Sequence, residues 1–170
     1  KRLIEAITHL DEYFVLWDAA DRLVVCNDRF RELNAEVAEM TAPGTIFEDH
    51  IRAALARGLY PNAAGREEEW LEARILQHRD PGPPFEMERQ DDQWLLISEQ
   101  KLPDGSVATI STDITARKRI ERTIEDKNRI LETALRTIPD GVQVLDEDLR
   151  LVAWNDQLFE VLELDRDAIV

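Results

Sequence analysis

One phrase occurs twice in this chain, and no other feature of the sequence constrains the fold as strongly. Residues 16–32 align with residues 144–160 without a gap, and 7 of the 17 aligned positions are identical. The two segments lie 128 positions apart, which is far beyond the period of a solenoid or propeller repeat. We therefore expect two copies of one domain type, the second represented by its opening part.

Each copy has the pattern of a hairpin followed by a capped helix. In the first copy the apolar stretches "YFVLWD" and "RLVVC" flank the polar turn "AADR". In the second copy "GVQVLD" and "RLVAW" flank "EDLR". Asn27 and Asn155 then precede helical stretches, and asparagine is a preferred N-cap because its side chain accepts a hydrogen bond from a free amide. Both asparagines are thus predicted to be structural rather than catalytic.

The hydrophobic period changes once along the first copy. Helical spacing predicts an amphipathic helix over residues 1–11, a second helix over 45–57 and a third over 66–77. The break "DPGPP" follows, and the stretches "PFEMERQ", "QWLLISEQKL" and "VATISTDIT" then alternate as strands do. Two strands, several helices and three strands predict an α+β fold, with a five-stranded antiparallel sheet covered by helices on one face.

These motifs resemble a PAS domain of the bacterial sensory-box type. The resemblance rests on a strand ending in Asp, an "R-L-V" strand, an Asn before a helix, and the ending "TDIT" before a charged helix. It covers residues 12–115 as one whole domain and residues 138–170 as the opening of a second. Residues 116–137 are predicted to be a helical, coiled-coil-like linker, so that linker helices flank the domain on both sides.

The resemblance implies a route for a signal out of the domain. Asp113, Ile114 and Thr115 are expected to transmit it, with Asp113 joining the strand end to the helix start by capping the helix or pairing with an Arg. A weak heptad pattern follows, with Lys127 as a polar interruption. Its predicted seam consists of Ile120, Ile124, Leu131, Ala134 and Ile138. We expect a homodimer through this linker and the N-terminal helix; a simple amphipathic connector is the alternative.

A ligand pocket would lie between the helices and the inner sheet face. Alternation puts Phe14 and Leu16 on the predicted pocket face, and Trp17, Val24 and Cys26 on the opposite one. The predicted lining residues are Phe14, Leu16, Val25, Phe30, Phe47, Ile51, Leu71, Phe85, Ile97 and Ile110. The polar groups of interest are Ser98, Thr109, Ser111 and Arg79. The same apolar residues could equally form a plain core, because pockets and cores share their composition.

Charge and composition exclude several classes of protein. Acidic residues outnumber basic ones by 36 to 21, giving a net charge of −15, which argues against nucleic-acid and anionic-membrane partners. A single cysteine excludes an internal disulfide. These features predict a cytoplasmic protein.

No constellation of residues predicts catalysis or a metal site. His9, His50 and His78 are scattered, and His50 is expected at a helix surface or edge. Cys26 is expected in the core or on a sheet face. No phosphate-binding glycine loop or nucleophile motif occurs, so the chain is interpreted as a non-enzyme without a predicted cofactor, open to an unknown small ligand.

Two functions remain open at this point. The first is a sensory module of a larger bacterial signalling protein, with a histidine kinase or diguanylate cyclase output implied by the resemblance. The second is a ligand-free dimerisation spacer. In either case two strands and one helix cannot bury a sheet face alone, so residues 138–170 are expected to pack against a neighbouring copy or exchange strands with it.

Overall fold

The computed structural model describes residues 11–162. The predicted helix over residues 1–11 therefore lies outside the described residues except for Asp11, and so does His9. The chain divides into two compact units at residue 118, within a helix. No helix among residues 11–162 is both long enough and apolar enough to cross a membrane.

The first unit follows the predicted order of elements. Its bounds are β1 (Tyr13–Trp17), β2 (Leu23–Cys26), α1 (Asp28–Leu33), α2 (Phe47–Ala56), α3 (Glu67–Arg79), β3 (Phe85–Arg89), β4 (Gln93–Lys101) and β5 (Val107–Asp113). Short 3-10 helices occupy Ala35–Thr41, Pro61–Ala63 and Gln90–Asp92. Helix α4 (Thr115–Thr137) begins directly after β5.

The five strands form one antiparallel sheet in the order β2-β1-β5-β4-β3. Residues of α1, α2 and α3 join the inner sheet face in one hydrophobic core, which includes Phe30, Phe47 and Leu71. The predicted α+β architecture, a five-stranded antiparallel sheet with helices on one face, is thus confirmed. The strand β5 lies at the centre of the sheet, between β1 and β4.

The predicted faces of β1 are wrong. Val15 and Trp17 point into the core, whereas Phe14 and Leu16 lie on the other sheet face. Both faces of this strand are apolar, so alternation separates two sets of residues without showing which set the helices cover.

The predicted faces of β2 also need correction. A bulge between Leu16 and Trp17 shifts the pairing with β2, and as a result both Leu23 and Cys26 are buried in the core. Cys26 was expected in the core or on a sheet face, and its thiol is indeed buried there. Burial raises the pKa of this thiol above its ordinary value.

Asn27 joins the hairpin to the helix that follows it. Its Oδ1 accepts hydrogen bonds from the Phe30 and Phe14 amides, both at 3.0 Å, and its Nδ2 donates to the Glu12 carbonyl at 2.8 Å. The predicted N-cap is therefore confirmed, and the same side chain also fixes the start of β1.

The second unit repeats this local structure. It contains the hairpin β6 (Gln143–Leu145) and β7 (Leu151–Trp154), followed by α5 (Asp156–Leu162). Asn155 Oδ1 accepts from the Leu158 amide at 3.2 Å and from the Val142 amide at 2.8 Å, as Asn27 does in the first unit. Apolar side chains of the hairpin remain exposed in this single chain, among them Val144, Val152 and Trp154.

Candidate functional site

A small cavity lies between the sheet and the helices of the first unit. Its volume is about 50 Å³, far below the several hundred Å³ of sites for drug-sized ligands. The side chains that line it come from β1, β3, β4, β5, α1 and α2, among others. The cavity therefore lies at the place where a pocket was predicted, but it has room only for a very small molecule.

The ten predicted lining residues fall into three groups. Phe30, Ile51 and Ile97 line the cavity. Phe47 and Leu71 belong to the surrounding core, and Phe85 lines an adjoining groove. The remaining four, on the other side of the sheet, are Phe14, Leu16, Val25 and Ile110.

Ile110 illustrates the error in that last group. It pairs with Phe14 and Ser98 on the outer sheet face, and its side chain is 41% exposed. The polar candidates divide in the same way: Thr109 and Ser111 line the cavity, whereas Ser98 lies on the outer face. Arg79 lies at the surface, where its Nε donates to Asp21 at 2.8 Å.

A buried ionic network flanks the cavity. Arg74 donates two hydrogen bonds to the Glu99 carboxylate, at 2.6 and 3.0 Å, and His78 Nδ1 lies 2.9 Å from the same carboxylate. The Thr109 hydroxyl adds a fourth hydrogen bond at 3.2 Å. Burial alone would raise the pKa of Glu99, but the hydrogen bonds from His78 and Arg74 outweigh it and lower that pKa to about 2. Glu99 is therefore a buried anion that accepts four hydrogen bonds.

His50 is a core residue, and the prediction of a surface or edge position is wrong. Its ring stacks on Phe30 at 5.6 Å between centroids, and Nδ1 donates to the Met40 carbonyl at 3.0 Å. Burial, helped by the positive charges of Arg89 and Arg74, lowers the pKa of His50 to about 4. His50 thus adds a neutral imidazole to the cavity wall at neutral pH.

Arg89 is the residue that the sequence reasoning missed. Its side chain is only 4% exposed and lines the cavity from the end of β3. Nη1 donates to Asn34 Oδ1 at 3.2 Å and Nη2 to the Leu33 carbonyl at 3.0 Å, while Nε has no hydrogen-bond partner. Strand alternation from Phe85 through Met87 was a signal that could have placed Arg89 inward.

An open groove adjoins the cavity between α3 and the edge strand β3. Its volume is about 480 Å³, and it shares Tyr60, Arg74 and Met87 with the cavity wall. Tyr60 and Trp70 stack along it at 4.8 Å between ring centroids. The groove therefore shares part of its wall with the cavity.

The predicted cap at the start of α4 is present. Asp113 Oδ1 accepts from the Thr115 amide at 2.8 Å, and the Thr115 hydroxyl accepts from the Trp94 amide at 3.0 Å. Ile114 is buried, and its amide donates to the Trp94 carbonyl at 2.9 Å. Strand β5 thus passes into α4 without a loop, and β4 holds the junction.

The predicted seam of α4 is exposed in the single chain. Ile120, Ile124 and Leu131 are each more than half exposed, and none of the α4 side chains is buried. Ala134 is also exposed, whereas Ile138, just past the end of the helix, is half-buried. The described part of this helix therefore offers an apolar stripe to solvent.

A sequence comparison identifies the fold. A profile of the PAS fold matches residues 7–122, which is more than half of the chain. The chain belongs to the PAS-fold family. Domains of this family are generally non-catalytic sensory modules, and no catalytic family is indicated for the chain. Among residues 11–162, no group of three His, Cys, Asp or Glu side chains is placed to hold a metal ion.

The PAS module also resembles part of a longer protein. It is 29% identical over 157 residues to the "Non-motile and phage-resistance protein" of Caulobacter vibrioides. The match covers 89% of this chain but only 16% of that relative.

Two solved structures are more distantly similar. A domain of a sensory box sensor histidine kinase/response regulator from Geobacter sulfurreducens is 18% identical, with a TM-score of 0.43, covering 66% of this chain and 91% of that domain. The PAS domain of Bordetella pertussis BvgS is also 18% identical, with a TM-score of 0.38, covering 76% of this chain and 98% of that domain.

Proposed function

We propose that the first unit is a sensory PAS module that detects a small ligand and relays its presence through α4 to the second PAS copy. The module acts in the cytoplasm as part of a larger bacterial signalling protein, with a histidine kinase or diguanylate cyclase as output. The acidic composition and the single cysteine support the location, and family membership together with the helical linker supports the relay.

One observation carries this proposal. Thr109 and Ser111 line the cavity, and both belong to the strand that ends at Asp113 and passes directly into α4. Only a few residues of β5 therefore separate the cavity from the start of α4. Glu86 on β3 provides a second anchor, because it pairs with Arg117 at 2.5 Å and also with Lys118.

Asp113→Ala is expected to loosen the start of α4 and to uncouple the signal while the first unit stays folded. Loss of a helix cap costs about 1 kcal/mol, so amide hydrogen exchange in the first turn of α4 should quicken by roughly fivefold. Hydrogen exchange measured by mass spectrometry on this chain tests the cap. In the full-length protein, the output should lose its response to the stimulus.

Asp104→Ala is the matched control for that variant. Asp104 accepts a backbone hydrogen bond from Ser106 at 2.9 Å, as Asp113 does from Thr115, but it lies at the other end of β5. Its replacement should leave exchange in α4 and the output response unchanged. A full-length Asp113→Ala protein that signals normally would remove Asp113 from the relay.

We further propose that α4 pairs with a second copy of the chain through its apolar stripe. The exposure of Ile120, Ile124 and Leu131 supports this, since a lone amphipathic helix of this kind gains stability by burying its stripe. Pairing of two chains would also bring the exposed hairpins of the second units near each other, where they could pack or exchange strands.

Ile124→Glu is therefore expected to convert a dimer into a monomer, because it places a charge in the paired seam. Light scattering during size-exclusion chromatography measures the mass of each variant in solution. Glu125→Lys changes charge at the neighbouring exposed position and serves as the control, which should stay dimeric. A wild-type chain that is monomeric at all concentrations would contradict the pairing.

A ligand-free dimerisation spacer is the competing function. A fully apolar, filled interior would favour it, whereas the cavity here gathers the polar side chains of Arg89, His50, Thr109 and Ser111. Native mass spectrometry of the purified chain separates the two functions. Extra mass lost on denaturation supports the sensor; an unliganded dimer that no small molecule stabilises supports the spacer.

A further inference from the structure

We propose that the cavity of the first unit binds a small monovalent oxyanion, such as a short carboxylate, and that Arg89 is the residue that holds its charge. This inference rests on the proposed sensory function and names the chemical class of the ligand.

The cavity is positively charged inside a strongly acidic protein. The chain carries 36 acidic residues against 21 basic ones, yet the residues lining the cavity include two arginines and not one Asp or Glu. His50 is neutral at physiological pH, since burial lowers its pKa to about 4. The wall therefore has a net positive charge where the rest of the molecule is negative.

The two arginines differ in how their charge is balanced. Arg74 is matched by Glu99, whose nearer oxygen lies 2.6 Å from Nη2. Arg89 has no carboxylate within 4 Å among residues 11–162, and its contacts are the neutral oxygens of Asn34 and Leu33 and the ring of Tyr60. The hydrogen-bond partners of the Glu99 carboxylate are Arg74, His78 and Thr109.

A buried guanidinium without a counter-charge is costly, and that cost indicates a missing anion. Arginine stays protonated in proteins and presents five N–H donors, of which Arg89 uses two within the described structure. Water could accept from the unpartnered Nε, but water does not neutralise the charge. A planar oxyanion does both, since it can accept two hydrogen bonds from one guanidinium.

Ser111 supplies a further donor near this charge. Its side chain is buried and lines the same cavity. It lies on β5, four residues before the start of α4. An anion held between Arg89 and Ser111 would thus contact both β3 and the strand that leads to the linker helix.

The volume of the cavity sets the size of the ligand. About 50 Å³ is roughly four water-sized spheres at about 12 Å³ each, which fits three or four non-hydrogen atoms. Formate, acetate and nitrate have this size, whereas sulfate is larger, tetrahedral and divalent. The adjoining groove could accommodate an apolar extension, because Tyr60, Arg74 and Met87 line both the groove and the cavity.

The test is calorimetric titration of the 170-residue chain with sodium formate, acetate, nitrate and benzoate, with sodium chloride and sodium sulfate at equal ionic strength as controls. We expect saturable binding of at least one small planar oxyanion, and at least about tenfold weaker binding by Arg89→Met, because charge-assisted hydrogen bonds are lost. Acetate and nitrate distinguish a carboxylate site from a nitrate site, and benzoate shows whether the groove takes part.

A second readout separates binding from a purely structural role. In buffer without oxyanions, Arg89→Met should unfold at the same or a higher temperature than the wild type, since it removes an uncompensated buried charge. If Arg89→Met fails to fold, Ser111→Ala provides the binding test in a folded protein, with weaker oxyanion binding expected. The proposal is overturned if none of the planar oxyanions binds the wild type. It is also overturned if they bind Arg89→Met as tightly as the wild type, or, where Arg89→Met does not fold, if they bind Ser111→Ala as tightly.

Different results would contradict the oxyanion proposal and the proposed sensory function. A neutral compound retained in native mass spectrometry, together with no oxyanion binding, would overturn the anion and leave the sensor standing. A normal signal from Asp113→Ala would remove the relay and leave the oxyanion titrations unaffected.

Discussion

Glu99→Gln is expected to destabilise the first unit by about 3–5 kcal/mol, because it leaves the buried Arg74 guanidinium without its counter-charge. The carboxylate accepts two hydrogen bonds from Arg74, one from Thr109 and one from His78. Glutamine has nearly the same shape, so the variant removes charge without creating a cavity. Urea unfolding followed by tryptophan fluorescence measures the loss, since Trp17 lies in the same core.

Glu86→Gln is the matched control for this variant. Glu86 also faces two cations, Arg117 and Lys118, but it lies at the surface, where exposed ion pairs contribute little to stability. We expect its unfolding curve to lie close to that of the wild type. Equal effects of the two substitutions would mean that Arg74 remains solvated and that the network is not buried in solution.

The double variant Arg74→Met with Glu99→Leu isolates the cause of the loss. Apolar residues of similar volume often replace a buried ion pair at little cost, whereas removing one partner is strongly destabilising. We therefore expect the double variant to be more stable than Glu99→Gln alone. That order would show that the uncompensated charge, rather than lost packing, accounts for the effect.

Local interactions of the fold could be predicted from the sequence because they repeat in it. Asn27 and Asn155 make the same cap, and Asp18 and Asp146 each accept two turn amides through one oxygen, at 2.8 and 2.9 Å. Such bonds join residues a few positions apart, so the residue type and its spacing are sufficient to identify them.

The candidate site depends on long-range contacts, and these could not be predicted. Arg74 and Glu99 are 25 residues apart in the chain, and they meet only because α3 packs across β4. The same holds for His50, whose neighbours are set by how α2 lies on the sheet. Periodicity can show which face of its own helix or strand each of these residues occupies. It cannot show which side chain of another element each residue will contact.

The residues that line the cavity show the same difference between what periodicity can and cannot predict. Three of the ten predicted lining residues, Phe30, Ile51 and Ile97, line the cavity, because their elements have one apolar face each. Phe14 and Ile110 do not, since β1 and β5 have apolar residues on both faces and periodicity does not distinguish them. Arg89 was passed over because a charged residue at a strand end is usually solvent-exposed.

The stability of the first unit is expected to fall by about 3 kcal/mol between pH 6.5 and pH 4 on account of His50 alone. Burial, with the charges of Arg89 and Arg74, lowers the pKa of His50 from 6.5 to about 4 in the folded protein. In the unfolded chain His50 therefore binds a proton below about pH 6.5. In the folded chain it binds that proton only near pH 4. Protonation thus favours the unfolded state throughout that window.

His50→Gln tests this assignment, because its amide can still donate to the Met40 carbonyl but does not titrate. Urea unfolding at several pH values gives the free energy of unfolding for both proteins, and their difference should change between pH 6.5 and 4 and be constant above. Glu99 contributes in a lower window, since its pKa falls from 4.5 to about 2 and its stabilisation is lost as pH drops through that range. Parallel curves for the wild type and His50→Gln from pH 7 to 4 would mean that His50 can be protonated in the folded protein. The imidazole would then face water rather than the buried, positively charged wall that the structure shows.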